Sequence, residues 1–211
     1  SSNHLTGQFI GDCYMIDNSD AVKLLDSKRN GAVFVATMNA GNVSFGLPSL
    51  TTNEKLDLPV SGAMSKASDV ALGLALAVPS NKALGLDGDG SLLMNLGVLV
   101  TIANKAPKNF VHVLFNNKVY AVTGGQPIPG SENTDWEGLA KSAGYAKVFT
   151  FDNLEDMTNG IDEALAAEGP VFVHLLVKPE IENIPVAFRT RASRTVQIAI
   201  KELPEVLGVN R

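Results

Sequence analysis

One short stretch of this 211-residue chain combines glycines with carboxylates where a strand is predicted to end and a helix to begin. It contains Asp87, Gly88, Asp89, Gly90 and Ser91 in succession. Glycines at such a turn let backbone N–H groups approach an anion, and the first turn of a helix favours negative charge. Asp89 would repel a bare phosphate there, whereas a divalent cation between the two would attract both. The pattern therefore predicts a metal-bridged phosphate site.

A second pair of candidate ligands, Asn116 and Asn117, follows the next predicted strand about twenty-six residues later. A right-handed crossover brings the carboxyl ends of neighbouring parallel strands to the same edge of the sheet, so the two segments can meet. Side-chain amide oxygens are neutral, hard ligands that suit Mg²⁺. Asp89, Asn117 and a loop carbonyl, with that of Val119 favoured, would supply the protein oxygens. Diphosphate oxygens and a water would complete the octahedron.

The elements that would position these residues are predicted by an alternation of short apolar runs and helical segments. Strands are predicted at 32–36, 82–87, 110–115, 146–151 and 170–177. Helices are predicted at 20–28, 65–78, 91–104, 135–143, 154–167 and 190–207, with Ser91 as the N-cap of the third. Such alternation indicates βαβ units, and therefore an α/β fold with a doubly wound, mostly parallel sheet and helices on both faces. No linker divides the chain, so a single domain over 1–211 is expected, with a C-terminal helical extension from about 187.

Composition and charge exclude several classes of protein. Hydrophobic residues make up 45% of the chain and charged residues 18%, which is typical of a globular domain. No apolar run approaches the roughly eighteen residues of a membrane span, and the net charge of -5 provides no basic surface for nucleic acid. The single cysteine, Cys13, excludes an internal disulfide and a multi-cysteine metal site. The sequence shows no signal-peptide pattern, so a cytoplasmic location is expected.

Three stretches of the chain resemble the thiamine diphosphate-dependent decarboxylase superfamily. The segment 88–90 followed by the asparagines at 116–117 is similar to the cofactor motif of that family. The segment 61–68 resembles the preceding turn, in which a large apolar residue, here Met64, lies under the cofactor. The segment 117–126 resembles the corresponding loop of phosphonopyruvate and sulfopyruvate decarboxylases.

The resemblance extends over roughly residues 20–180 and implies the diphosphate-binding fold of this family, with thiamine diphosphate and Mg²⁺ as cofactors. Met64 would act in catalysis by bracing the bent cofactor. Thr37 is an alternative to Asn39 in the loop that helps to hold the diphosphate. The residues assigned to the cofactor are Asn39, Gly62, Ala63, Met64, Gly88, Asp89, Gly90, Ser91, Asn117, Val119 and Tyr120, and those assigned to Mg²⁺ are Asp89, Asn117 and Val119.

The resemblance also implies a reaction and a partner. The reaction is decarboxylation of a small 2-oxo acid with an anionic tail, such as sulfopyruvate or phosphonopyruvate, in which the thiazolium ring accepts the electron pair. Full-length members carry a pyrimidine-binding domain whose glutamate activates the cofactor, and this chain has room only for the diphosphate-binding domain. The resemblance therefore implies a β-type subunit that is active with a pyrimidine-domain partner and also self-associates as a dimer.

The sequence departs from the family pattern at two positions, and other functions stay open. Ser65 replaces the usual second glycine of the turn, and Lys66 stands where this subfamily often has histidine. A carboligase, a 2-oxo acid oxidoreductase subunit or a non-catalytic cofactor-binding scaffold would carry the same motif. A dinucleotide fingerprint is disfavoured because Leu93 occupies its third glycine position, and a calcium loop because Leu92 occupies its required glycine.

Two groups of basic residues outside the motif are predicted to be structural. His112 and His174 lie within predicted strands and are expected in the core rather than as ligands. The late arginines at 189, 191 and 194 are expected on a solvated helix face, with contact to an anionic substrate tail as the alternative.

Overall fold

A computed structural model of the chain describes residues 15–37, 50–60, 62–181, 188 and 194–209. The strands are β1 (Val33–Ala36), β2 (Asp57–Pro59), β3 (Ala83–Gly88), β4 (Phe110–Asn116), β5 (Val119–Tyr120), β6 (Gln126–Pro127), β7 (Lys147–Phe151) and β8 (Val171–Leu176). Six of them form one parallel sheet in the order β2-β1-β3-β4-β8-β7, and β5 and β6 form a small antiparallel hairpin. The parallel sheet confirms the predicted fold class.

The helices of the described segments lie on both faces of this sheet. They are α1 (Asn18–Ser27), α2 (Ala67–Ala77), α3 (Asp89–Leu93), α4 (Val98–Lys105), α5 (Trp136–Ala143), α6 (Leu154–Ala166) and α7 (Val196–Val206). Helices α1 and α6 pack with Phe34 and Leu84 on one face, whereas α2, α4, α5 and α7 pack with Val33 and Leu114 on the other. Alternate residues of the central strands therefore lie in two separate apolar layers, as a doubly wound sheet requires.

Helix α2 lies unusually close to the sheet because both surfaces consist of small residues. A Cβ added at Gly85 of β3 would lie 3.1 Å from the Cα of Ser68 and 3.3 Å from the Cβ of Ala71. Ser68 and Ala71 are themselves fully buried. This close approach holds the start of α2, and the turn that precedes it, against the carboxyl end of β3.

The predicted helix at 91–104 is wrong in its start and its continuity. The first helical residue is Asp89, and Gly88 occupies the N-cap position without a side-chain cap. Turns then separate α3 from α4. The prediction of Ser91 as N-cap fails because its hydroxyl group donates a hydrogen bond to Asp87 instead of accepting one from the first turn.

The C-terminal helix α7 packs against the outer strand of the sheet. Its N-cap is Thr195, whose side chain accepts a hydrogen bond from the backbone N–H of Ile198. Ala199 and Leu203 are buried in the same apolar layer as β2. Within the described segments, none of the helices is long and apolar enough to cross a membrane.

Arg194, which precedes this helix, corrects the expectation of a solvated arginine face. It is 3% exposed, and its Nε donates to the carbonyl oxygen of Asp57 at 2.8 Å. Its Nη1 forms an ion pair with Glu202 at 2.6 Å, and Nη2 donates to the carbonyl of Lys55. Arg194 therefore fastens the C-terminal helix to β2, while positions 189 and 191 lie outside the described residues.

Candidate cofactor site

The ends of β3 and β4 bring the two predicted ligand segments together. Their register pairs Gly88 with Phe115, so the chain segments that follow both strands emerge at one edge of the sheet. Asp89 is 1% exposed, and its Oδ2 accepts the backbone N–H of Lys118 at 2.7 Å. Its Oδ1 accepts the N–H of Gly90 at 2.8 Å. The carboxylate thus lies directly against the loop that follows β4.

The charge of Asp89 is incompletely compensated. Burial raises the pKa of this carboxyl group to about 6, although backbone N–H groups, among them those of Gly90 and Lys118, oppose the rise. Among the residues that the structure describes, no lysine or arginine forms an ion pair with Asp89. A bound cation would stabilise a desolvated carboxylate of this kind more effectively than neutral donors can.

Asn117 is held in a tight loop beside this carboxylate. Its side chain is 3% exposed, and its Oδ1 accepts the backbone N–H of Val119 at 3.1 Å. Lys118 between them adopts the left-handed conformation with φ of 64°, and its carbonyl accepts the N–H of Ile128 at 3.1 Å. An amide oxygen has two lone pairs, so that of Asn117 can still coordinate a metal ion.

A cleft lies over these residues, and most of the residues predicted to bind the cofactor line it. Its volume is about 390 Å³ including its solvent-open mouth. Gly62 and Ala63 belong to the same turn as Met64 without lining the cleft, and Asn39 lies outside the described residues. The predicted residues that line it are Met64, Gly88, Asp89, Gly90, Ser91, Asn117, Val119 and Tyr120.

Sequence reasoning did not assign the wall formed by Ala121, Val122 and Thr123. These residues form a 3-10 turn between β5 and β6 and also line the cleft. They directly follow Tyr120, within the loop that resembles those of the decarboxylases, so their place in that loop was the available signal. Part of the segment between β4 and α5 is thus ordered as a hairpin.

Gly90 is required for the packing of Tyr120 in this cleft. A Cβ added at Gly90 would lie 2.6 Å from Cε1 of Tyr120 and 3.0 Å from Cγ2 of Ile128. The ring of Tyr120 therefore lies directly on the first turn of α3. Its position depends on the missing side chain at Gly90.

Beneath the cleft, Asp87 forms a buried network that sequence reasoning also missed. Its Oδ1 accepts the hydroxyl of Ser91 at 2.9 Å, its Oδ2 accepts the backbone N–H of Ser68 at 3.2 Å, and Nε2 of His112 lies 3.3 Å away. Burial alone would raise the pKa of Asp87, but the interactions with His112, Ser68 and Ser91 outweigh it and hold the pKa below its usual value. The hydroxyl of Ser91 is thus engaged within the chain.

Both strand histidines are core residues, as predicted. Nδ1 of His112 lies 3.0 Å from the hydroxyl of Tyr145. Nε2 of His174 lies 3.0 Å from Nδ2 of Asn116, and burial lowers the pKa of His174 although Glu137 opposes the change. Asn116 thus faces a histidine inside the fold, whereas Asn117 lines the cleft.

A parallel α/β sheet with polar ligands at the carboxyl ends of two central strands has the architecture of a cofactor-binding domain. Residues 40–175 match the family described as thiamine pyrophosphate enzyme, C-terminal TPP binding domain. The chain belongs to this family of thiamine pyrophosphate-binding domains.

Curated relatives confirm the resemblance to sulfopyruvate and phosphonopyruvate decarboxylases. The chain is 38% identical to sulfopyruvate decarboxylase subunit beta of Methanothermobacter thermautotrophicus over 164 residues, which cover 76% of this chain and 84% of that subunit. It is 42% identical to phosphonopyruvate decarboxylase of Streptomyces hygroscopicus over 118 residues, or 56% of this chain. The match spans only 29% of that longer enzyme.

A solved structure supports the fold independently. The thiamine diphosphate-dependent 4-hydroxybenzoylformate decarboxylase of Rhodococcus jostii RHA1 superposes with a TM-score of 0.65. The superposition covers 87% of this chain and 36% of that enzyme at 20% sequence identity. At this level of identity the likeness concerns the fold alone.

Proposed function

We propose that this chain is the thiamine diphosphate- and Mg²⁺-binding subunit of a split 2-oxo acid decarboxylase. The observation that carries the proposal is the convergence of the buried Asp89 carboxylate and the Asn117 amide on one cleft at the edge of the sheet. The likeness to a protein named as a β subunit supports the split arrangement.

The residues of the cleft fit this cofactor. Asp89, Asn117 and the carbonyl of Val119 would hold Mg²⁺, which suits the oxygen donors present. The backbone N–H of Ser91 would meet the diphosphate, because the first turn of a helix leaves such donors without partners inside the helix. The N–H of Gly90 already donates to Oδ1 of Asp89, so Gly90 would contribute to the site through the packing of Tyr120. Residues proposed for its apolar walls are Met64, Tyr120, Ala121 and Val122. When bound, thiamine diphosphate supplies an electron sink for the departure of carbon dioxide.

The composition of the cleft also supports a partner subunit. Asp89 is the only carboxylate among the described residues that line it, and we assign it to the metal. A second carboxylate, which would contact the aminopyrimidine ring, would then come from a pyrimidine-domain subunit placed across the cleft. The proposed substrate is a small 2-oxo acid with an anionic tail, such as sulfopyruvate or phosphonopyruvate. Self-association of this chain as a dimer is part of the proposed assembly.

Co-expression with a candidate pyrimidine-domain subunit tests this function. With thiamine diphosphate and Mg²⁺, the purified complex should release carbon dioxide from sulfopyruvate or phosphonopyruvate, whereas this chain alone should not. Chelation of Mg²⁺ should abolish the release, and pyruvate serves as the substrate without a charged tail. A loaded complex that decarboxylates none of these acids would contradict the proposal. Carboligation or electron transfer in its place would identify another enzyme of this family.

Gly90→Ala should lower the affinity for thiamine diphosphate about tenfold. A new Cβ would lie 2.6 Å from Cε1 of Tyr120, so the ring must shift. A displaced ring would lose van der Waals contacts with the bound cofactor. Isothermal titration calorimetry of the assembled complex measures the change. Gly97→Ala is the matched control, since a Cβ there meets nothing within 4 Å. Equal affinities of the two variants would show that the packing of Tyr120 does not shape the site.

A further inference from the structure

The turn that carries Met64 has a backbone conformation that needs support. Gly62 has a φ of 74° and Ser65 a φ of 70°, so both lie in the left-handed region. Glycine adopts this region freely, whereas a serine does so at a cost in free energy. Ser65 is nevertheless 8% exposed and fixed within the fold. Interactions outside the turn must therefore hold it in place.

Two hydrogen bonds from other elements supply that support. The hydroxyl of Thr37 donates to the carbonyl of Ala63 at 3.0 Å, on the near side of Met64. On the far side, the N–H of Ser65 donates to the hydroxyl oxygen of Ser91 at 2.7 Å. Met64 is thus held between a residue that follows β1 and a residue of α3.

The hydroxyl of Ser91 is itself oriented by Asp87. Because this hydroxyl donates to Oδ1 of Asp87, its lone pairs remain available to the N–H of Ser65. Asp87 is fully buried and cannot rotate freely, since its other oxygen accepts the N–H of Ser68 and faces His112. A rigid chain of contacts therefore runs from the core of the sheet to the turn.

We propose that Ser91 and Asp87 are positioning residues that fix Met64 at the cleft through the backbone of Ser65. This relay, the chain of hydrogen bonds from Asp87 through the hydroxyl of Ser91 to the N–H of Ser65, is present in the free chain. Its consequence for catalysis rests on the proposed function, in which Met64 contacts the cofactor. In this relay the buried carboxylate of Asp87 orients Ser91 and does not bind the metal, although it lies only two positions before the proposed metal ligand Asp89.

Ser91→Ala tests the relay in the free chain, without cofactor. Hydrogen exchange of the Ser65 N–H, measured by NMR, should accelerate roughly three- to tenfold, as expected for the loss of one such hydrogen bond. The methyl resonance of Met64 should shift toward its value in an unfolded chain. Ser65→Gly is the matched control, because it retains the N–H and suits the left-handed backbone, so protection at position 65 should persist.

Two results in the free chain would overturn the relay. One is unchanged exchange at Ser65 in the Ser91→Ala variant. The other is acceleration of the whole of α2 by the same factor, which would indicate a general loss of stability. Asp87→Asn provides a second variant: it should also accelerate exchange at Ser65, since the altered side chain no longer offers two acceptor oxygens to its donors.

Kinetics of the assembled enzyme distinguish a positioning role of Ser91 from an effect on stability. At saturating cofactor, Ser91→Ala should lower kcat several-fold while KM for the 2-oxo acid stays within about twofold, because a displaced Met64 affects the cofactor rather than substrate binding. Faster exchange at Ser65 with unchanged kcat would overturn the role assigned through Met64. An inactive wild-type complex would instead contradict the proposed function, and the exchange experiment would still decide whether the relay exists.

Discussion

Replacing Asp89 by asparagine should lower the Mg²⁺-dependent affinity for thiamine diphosphate by at least about a hundredfold while the sheet stays folded. Among the described residues, the variant removes the one carboxylate that lines the cleft, and a neutral amide is a much weaker partner for a divalent cation. Burial already raises the pKa of this carboxyl group, so the fold does not depend on its negative charge. The amide keeps only one of the two oxygens that accept the N–H groups of Gly90 and Lys118, so Tm should fall modestly. The larger loss should fall on ligand binding.

The experiment pairs calorimetry with thermal unfolding. Binding of thiamine diphosphate to the assembled complex is titrated with Mg²⁺ and again with a chelator, and Tm is measured on the free chain. Asp152→Asn is the control, because Asp152 is exposed and bonds only to neighbouring Asn153 among the described contacts. An Asp89→Asn complex that still binds the cofactor with Mg²⁺-dependent, wild-type affinity would remove the proposed metal site.

Replacing Met64 by alanine should lower kcat about ten- to a hundredfold and weaken cofactor binding by a smaller factor. Met64 lines the cleft from a turn held on both sides, so its side chain can fix the position of a bound group. Displacement of reacting groups by about 1 Å can cost two orders of magnitude in rate. Under the proposed function, the affinity would depend mainly on charged and hydrogen-bonded contacts at Asp89 and the start of α3, which this variant leaves in place.

Single-turnover kinetics and calorimetry on the assembled complex measure the two effects separately. Met94→Ala is the matched control, because Met94 is 58% exposed and does not line the cleft. Met64→Leu should retain more activity than Met64→Ala, since it preserves most of the apolar volume. Losses of the same size in kcat and in affinity would argue against a bracing role for Met64.

The main features of the fold and the cleft could be predicted because they depend on local patterns. Strand–helix alternation specifies a parallel sheet, and such a sheet brings the residues after β3 and β4 to one edge. Asp89 and Asn117 follow those strands directly, so their convergence required no knowledge of distant contacts. The family resemblance then selected the cofactor.

The remaining features depend on partners far apart in the chain. The hydroxyl of Ser91 contacts both Asp87 and the backbone of Ser65, a choice that the local N-cap pattern does not reveal. Arg194 pairs with backbone carbonyls about 137 positions away in the sequence, so its charge pattern alone suggested a solvated face. In both cases tertiary contacts decide the role of a polar side chain.

The side chain of Arg194 has a further consequence for the rim of the sheet formed by β2. An outer strand with free backbone groups can recruit another polypeptide by edge-to-edge pairing, which is a common route to aggregation. Here the guanidinium group takes up the carbonyl of Asp57, and α7 covers the strand with Ala199 and Leu203. The C-terminal segment therefore occupies a backbone acceptor of β2 that an incoming strand would otherwise compete for.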